Sequence, residues 1–136
     1  MKGMIMVNGL VLFLLEKADV SDPGNKAFMR LEMVPDHRIF SQLIDLRGQT
    51  LRGGEVTEEK PVITATLIPD GIIFNLLEDG KIMPRATDRR GKPLTFIRAR
   101  EFLRLRVLAG TEETNKDIIE TCKALDGSTP VVLYWI

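Results

Sequence analysis

"TFIRAREFLRLRV", residues 95–107, alternates along its whole length. Arg98, Arg100, Arg104 and Arg106 stand at even positions, together with Phe96 and Phe102. Ile97, Ala99, Leu103, Leu105 and Val107 stand at odd positions, and Glu101 alone interrupts the apolar series. A period of two belongs to a β-strand, whose successive side chains point to opposite faces. Read so, the stretch is one strand of roughly 40 Å, with an arginine face and an apolar face. Glu101 on the apolar parity marks a bulge, after which the register shifts. Taking these residues as a strand commits the chain to a sheet-based fold.

The flanking segments agree with a sheet. "PVITATLI" (61–68) is rich in β-branched residues, and "IIFNLL" (72–77) follows after the turn Pro69-Asp70-Gly71. Glu78-Asp79-Gly80 and "TDRRGKP" (87–93) supply further turns, so the rhythm predicts an antiparallel meander leading into the arginine strand. Downstream, "TNKDIIETCKALDG" (114–127) reads as a helix. Thr114 with Asp117 forms a capping box, Ile118, Ile119, Cys122 and Leu125 share one face, and Gly127 ends it. "STPVVLYWI" closes the chain as a strand. The helix between two strands leaves open a right-handed crossover to a parallel neighbour.

Towards the N-terminus, "KAFMRLEMV" (26–34) alternates as a half-buried strand after the turn cluster "SDPGN" (21–25). "HRIFSQLIDLRG" (37–48) has helical spacing, capped by Asp36 and ended by Gly48, with a strand as the alternative. Residues 47–60 are polar and glycine-rich, which predicts a loop. "MIMVNGLVLFLL" (4–15) is apolar around Asn8-Gly9, a strong signal for a type I′ hairpin. A single bulged strand and a signal or anchor segment are its alternatives, but the run is too short to span a bilayer and no small-residue cleavage site follows. Both ends of the chain are expected to pack. The sum is an α+β fold over 1–136 as one domain. It has a mostly antiparallel sheet of six to eight strands, as a sandwich or a curved barrel-like sheet, with two short helices.

Composition narrows the function. With 44% hydrophobic and 28% charged residues, the chain can bury a core. Its single cysteine, Cys122, excludes an internal disulfide framework and fits a reducing, cytoplasmic or intracellular setting. With one histidine, His37, a zinc site of the chain's own Cys and His residues is not expected. No membrane partner, metal or cofactor is predicted. The net charge is zero, but residues 81–106 hold nine basic and two acidic groups, a local +7 against −7 in the rest. The candidate binding set is Arg85, Arg89, Arg90, Arg98, Arg100, Arg104 and Arg106, with Phe96 and Phe102 able to stack bases. Tyr134 and Trp135 are candidate interface anchors. A self-neutralised sheet face, with acids on neighbouring strands opposite the arginines, is the plainest explanation of the stripe.

Catalytic signals are weak. His37 sits at a helix start with no nucleophile or metal ligand near it in sequence. Cys122 lies on an apolar helix face, where burial as a small hydrophobe is expected. Asp19, Asp22 and Asn25 make an oxygen-rich loop whose spacing suits turns better than a cation site. "GQTLRGG" (48–54) lacks the ending of a phosphate loop. No catalytic residue is assigned.

"FLRLRV", the amphipathic helix and "GSTPVVLYW" together resemble a strand–helix–strand unit near the C-terminus of the catalytic subunit of bacterial replicative DNA polymerases. The resemblance covers about residues 102–136 and a region that is not catalytic in that family, so it implies no activity here. The sequence therefore points to a non-enzymatic interaction or assembly module, self-associating or bound to a protein partner. A subunit of a ring, tube or virus-like particle would fit. The alternative is a nucleic-acid-binding accessory domain using the arginine strand.

Overall fold

Leu10–Leu15 and Pro130–Trp135 carry no charged side chain, and both become strands buried at every position. Strands apolar on both parities must be covered on both faces. They lie side by side near the centre of the sheet, antiparallel, with Leu10 opposite Trp135 and Leu14 opposite Val131. The computed structural model describes residues 5–7, 9–40, 42–43, 49–51, 63, 65–69, 71–78 and 80–136. Its strands are β1 (Ile5–Val7), β2 (Leu10–Leu15), β3 (Ala27–Met33), β4 (Gln49–Leu51), β5 (Thr66–Leu67), β6 (Phe74–Glu78), β7 (Lys81–Arg85), β8 (Thr95–Arg98) and β9 (Pro130–Trp135). Helices α1 (His37–Phe40) and α2 (Glu113–Lys123) and a 3₁₀-helix, Ala99–Arg104, complete the set.

The main sheet has five strands in the order β3-β2-β9-β8-β5, every pair antiparallel. The expected α+β class with mostly antiparallel strands is what forms. The sheet stays open, with β3 and β5 as its edges, so no barrel closes. Leu10, Leu12, Leu14, Ile97, Val131, Leu133 and Trp135 face one way, onto Ile39, Phe40, Leu43, Phe102, Ile118, Ile119 and Cys122 of the helical segments. Val11, Phe13, Leu15, Phe96, Val132 and Tyr134 face the other way, onto Phe74 and Leu76 of β6 with Ile68 and Leu94. Edge-to-face ring contacts fix both sides, Phe40 on Trp135 at 5.4 Å and Phe13 on Tyr134 at 5.9 Å.

Several expectations are corrected. The chain around Asn8-Gly9 makes no hairpin, because β2 is occupied on both edges by β3 and β9 and β1 pairs in parallel with β4. Asn8 itself lies outside the described residues. β4 falls inside the stretch expected to be loop, whose residues 52–60 lie outside the described residues. The meander is broken, since β6 pairs with β7 as a separate hairpin while β5 pairs with β8. Of "PVITATLI" only Thr66–Leu67 is strand among the described residues. In the β6–β7 hairpin, Gly80 supplies the positive φ, 77°, that a two-residue hairpin turn demands. The last helix joins antiparallel neighbours, β8 and β9, not a parallel pair.

The helices also differ in extent. Asp36 caps α1 as expected, accepting from the Arg38 N–H at 2.9 Å. Among the described residues the α-helix covers His37–Phe40 and Gln42 and Leu43 lie in a turn, while Ser41 and the predicted end at Gly48 lie outside the described residues. α2 begins one residue before Thr114 and has no side-chain cap, so the Thr114–Asp117 capping box does not form. It ends at Lys123, short of Gly127. That glycine instead lets the 3₁₀-helix come close, since a Cβ there would meet Arg100 Cβ at 3.2 Å.

Buried amides hold the irregular segments. Asn115, fully buried on α2, donates to Val34 O and accepts from Val34 N, each at 2.8 Å. Gln42 does the same to Arg106, donating to its carbonyl at 2.9 Å and accepting from its N–H at 2.7 Å. Asn25 donates to Lys17 O and Asp19 O and accepts from Lys17 N. Each side chain satisfies backbone groups that no strand ladder reaches. Asn115→Ala should therefore cost about 2–4 kcal/mol in urea unfolding, because it leaves both Val34 groups unpaired. Asp117→Ala on the exposed side of the same helix should stay within about 0.5 kcal/mol.

Candidate functional site

The arginine stretch is not one strand. β8 ends at Arg98, opposite Pro130, where its partner strand β9 also begins. Ala99 N then donates to Thr129 O and Arg100 N to Gly127 O, and the chain turns into the 3₁₀-helix. Side chains three apart eclipse in such a helix. Ala99, Phe102 and Leu105 accordingly fall on one inward line, all buried. Leu103, placed on the apolar face by a period of two, is 68% exposed, whereas Phe102, placed among the arginines, is 0% exposed. The single arginine face is thus overturned by a change of period from two to three.

The arginines disperse accordingly. Arg98 donates to Ser128 O at 2.9 Å and to Ala18 O, and its guanidinium lies 5.1 Å from the centre of the Phe96 ring. It ties two loops together. Arg104 pairs with Glu101 at 3.1 Å, three residues back and eclipsed with it. Glu101 therefore marks no bulge; it neutralises a neighbour. Arg100 and Arg106 are exposed. Arg85 is half-buried on β7 opposite Phe74. Arg89 and Arg90 lie in the turn 88–92, which Asp88 organises from within.

Asp88 is buried and accepts from Arg90 N at 2.8 Å and Lys92 N at 3.1 Å. Burial holds its carboxyl above the usual carboxylate range, against the opposing pull of those N–H groups and of Arg90 and Lys92. Arg89 N donates to Trp135 O at 3.2 Å, which fixes the turn to the end of β9. Arg90 Nε is buried without a hydrogen-bond partner.

The aromatic candidates are all interior. Phe96 and Phe102 belong to the cores on opposite faces of the sheet, so they cannot form one stacking platform. Tyr134 and Trp135 are likewise buried, at 3% and 4% exposure, and serve the core instead of an outer surface. His37 is the first residue of α1, and its side chain lies outside the described residues. Cys122 is fully buried among Ile118, Ile119 and the sheet. The oxygens of the 19–25 loop turn inward on their own backbone. Asp19 accepts from Ser21 N, and Asp22 from Gly24 N and from Lys17. The Gly24 N–H first, then Lys17, holds the Asp22 carboxyl below its ordinary value. Of "GQTLRGG", residues 49–51 are β4 and the rest lies outside the described residues.

Surfaces that the sequence reading passed over are apolar. Phe74 and Leu76 point from β6 into the core, so Ile73, Asn75 and Leu77 point out. The hairpin register sets Leu77 opposite Ile82 and Asn75 opposite Pro84. Ile82 is 70% exposed and Leu77 opposite it is exposed too; Ile73, just before β6, is a further exposed apolar residue. "IIFNLL" carries the signal, since it is apolar on both parities while only one face meets a core. The second surface is the outer edge of β3, where Phe28 and Met29 are exposed with Arg30 and Glu32. A shallow pocket of about 200 Å³ lies between Asp22, Asn25 and Ile72–Phe74. Among the described residues, no cluster of metal-ligating side chains forms and no helix is long and apolar enough to cross a membrane. Comparison with known protein families, characterised proteins and solved structures finds no match.

Burial pushes the Cys122 thiol up to about 12, above its ordinary 9.0. The folded state then keeps a proton that the unfolded state loses, so stability falls as pH rises from about 9 to about 12 and is unaffected below that window. Cys122→Ala should flatten this alkaline loss in pH-dependent unfolding. A thiol reagent at neutral pH should label the native chain far more slowly than the unfolded one.

Proposed function

We propose that the chain is a non-enzymatic assembly module acting inside the cell, one that associates with copies of itself in a homo-oligomer or a larger ring, tube or particle. The observation that carries this reading is large apolar side chains left outside, the cross-strand pair Leu77 and Ile82 on the hairpin with Ile73 just before it, and Phe28 and Met29 at the sheet edge. Contiguous exposed apolar surface marks interaction sites. Covering it removes apolar area from water at about 25 cal/mol per Å². The basic turn 88–92, with Arg85 beside it, then serves as a polar rim facing acidic groups of the neighbouring subunit. Light scattering and sedimentation velocity across concentration at low and moderate salt should give a mass above the monomer. A strict monomer throughout would sink the proposal.

A second reading, a nucleic-acid-binding accessory domain, is supported by the exposed Arg100, Arg104 and Arg106. With Phe96 and Phe102 in the core, such binding would rest on phosphate contacts and be steeply salt-dependent. Under this reading, a single-stranded oligonucleotide binds at low salt and loses affinity when the three arginines become Ala. Absence of binding at low salt eliminates it.

A further inference from the structure

β3 ends the five-stranded sheet. It pairs with β2 on one side, and among the described residues no strand lies on the other. Such an edge presents a row of backbone donors and acceptors to any strand that can match it. A bulge at the other end of the β2–β3 pairing, where Leu14 faces Met29 and Leu15 faces Ala27, leaves Phe28 without an opposite number. The regular part of the edge is therefore Met29-Arg30-Leu31-Glu32-Met33, with Leu31 at its midpoint.

That pentapeptide is self-complementary when reversed. The apolar residues repeat in the same places and the two charges exchange sign. We infer that the outer edge of β3 pairs antiparallel with the same edge of a second copy, about a two-fold axis beside Leu31. The inference rests on the assembly reading above and names its surface, symmetry and register.

Both faces of the resulting joint are matched. Met29, Leu31 and Met33 share the helical face with Leu14, Leu12 and Leu10. Across the axis they meet as Met29 on Met33, Leu31 on Leu31 and Met33 on Met29, which carries the apolar layer on from one copy to the next. Arg30 and Glu32 share the opposite face with Phe13 and Val11. Arg30 of each copy meets Glu32 of the other, twice. Within one chain the same two side chains already touch at 3.3 Å, both partly exposed, so they are placed to exchange partners without leaving their face.

The charges also select the register. A two-fold axis normal to the sheet keeps the faces of both copies aligned, so it must pass beside a residue. Moving it to Arg30 sets arginine against arginine, and moving it to Glu32 sets glutamate against glutamate. Like charges directly opposite are destabilising, and opposite charges favour the pair. The axis at Leu31 has neither conflict and uses the whole regular stretch.

Charge swaps test this. Arg30→Glu and Glu32→Arg should each weaken self-association by about tenfold or more, in sedimentation equilibrium, with circular dichroism unchanged. An equimolar mixture of the two variants should regain it as a heterodimer, because every cross-copy pair is then of opposite sign. The double variant R30E/E32R should associate like the original chain. If a single swap unfolds the chain, Met29→Lys at its partly exposed position replaces it and should weaken association by setting a charge against Met33. Single variants that associate as tightly as the original chain overturn the edge pairing while leaving assembly through another surface standing. A strict monomer at every concentration overturns both.

Discussion

The structure depends on burying β9 from both sides. Six consecutive residues, Pro130–Trp135, are enclosed, alternating between the helical layer and the hairpin layer. β2 beside it is enclosed in the same way. Neither strand can be covered by one layer alone, so α1, α2 and the 3₁₀-helix must occupy one face and the β6–β7 hairpin the other. Where those layers join the sheet, ladder hydrogen bonds run out. Gln42, Asn115 and Asn25 supply replacements from side-chain amides. The polar residues in this interior are thus consequences of irregular connections around a two-sided apolar centre.

The legible parts of the fold were those with one strong periodic or compositional signal. "PVVLYW" reads as a strand and is one, though Tyr134 and Trp135 face cores and not a partner, and "LVLFLL" becomes a buried strand without the hairpin expected around Asn8-Gly9. "KAFMRLEMV" reads as a half-buried strand and becomes an edge. The inward face of α2 follows Ile118, Ile119 and Cys122 as the spacing predicts, and Asp36 caps α1. The failures share a cause, in that local signals were overruled by partners distant in sequence. Asn8-Gly9 favours a hairpin, yet β2 has no free edge to receive β1. Thr114 and Asp117 could form a capping box, but Asn115 between them is drawn to Val34 and the helix starts earlier.

Residues 95–107 are the instructive case, because the sequence satisfies two periods at once. Even positions collect the arginines under a period of two. Ala99, Phe102 and Leu105 collect under a period of three. Choosing between them needs the position of Pro130, which begins β9 and so ends the pairing available to β8. Without that contact, Phe96 and Phe102 fall on the same side as the arginines. With it, they are driven into two different cores. The candidate site was misread at this one junction, and the apolar outer faces of β6–β7 were missed because their neighbours' core contacts absorb the same composition.

Charge separated along a sequence need not be separated in space. The basic excess of residues 81–106 is distributed over a hairpin strand, a turn, a sheet strand and a 3₁₀-helix, four elements with different outlooks. Arg98 is occupied by Ala18 and Ser128 carbonyls, and Arg104 by its own neighbour Glu101. The acids elsewhere pair just as locally, Asp22 with Lys17, Glu113 with Lys116 and Glu120 with Lys123. Charge pairs this close in sequence balance themselves and specify little about partners. Arg30 and Glu32 differ because of where they stand. Both lie on the rim of the sheet that no strand pairs among the described residues, on one face, flanking the midpoint of its regular stretch. Their order along the strand therefore distinguishes one register from its neighbours, which a larger but scattered basic excess cannot do.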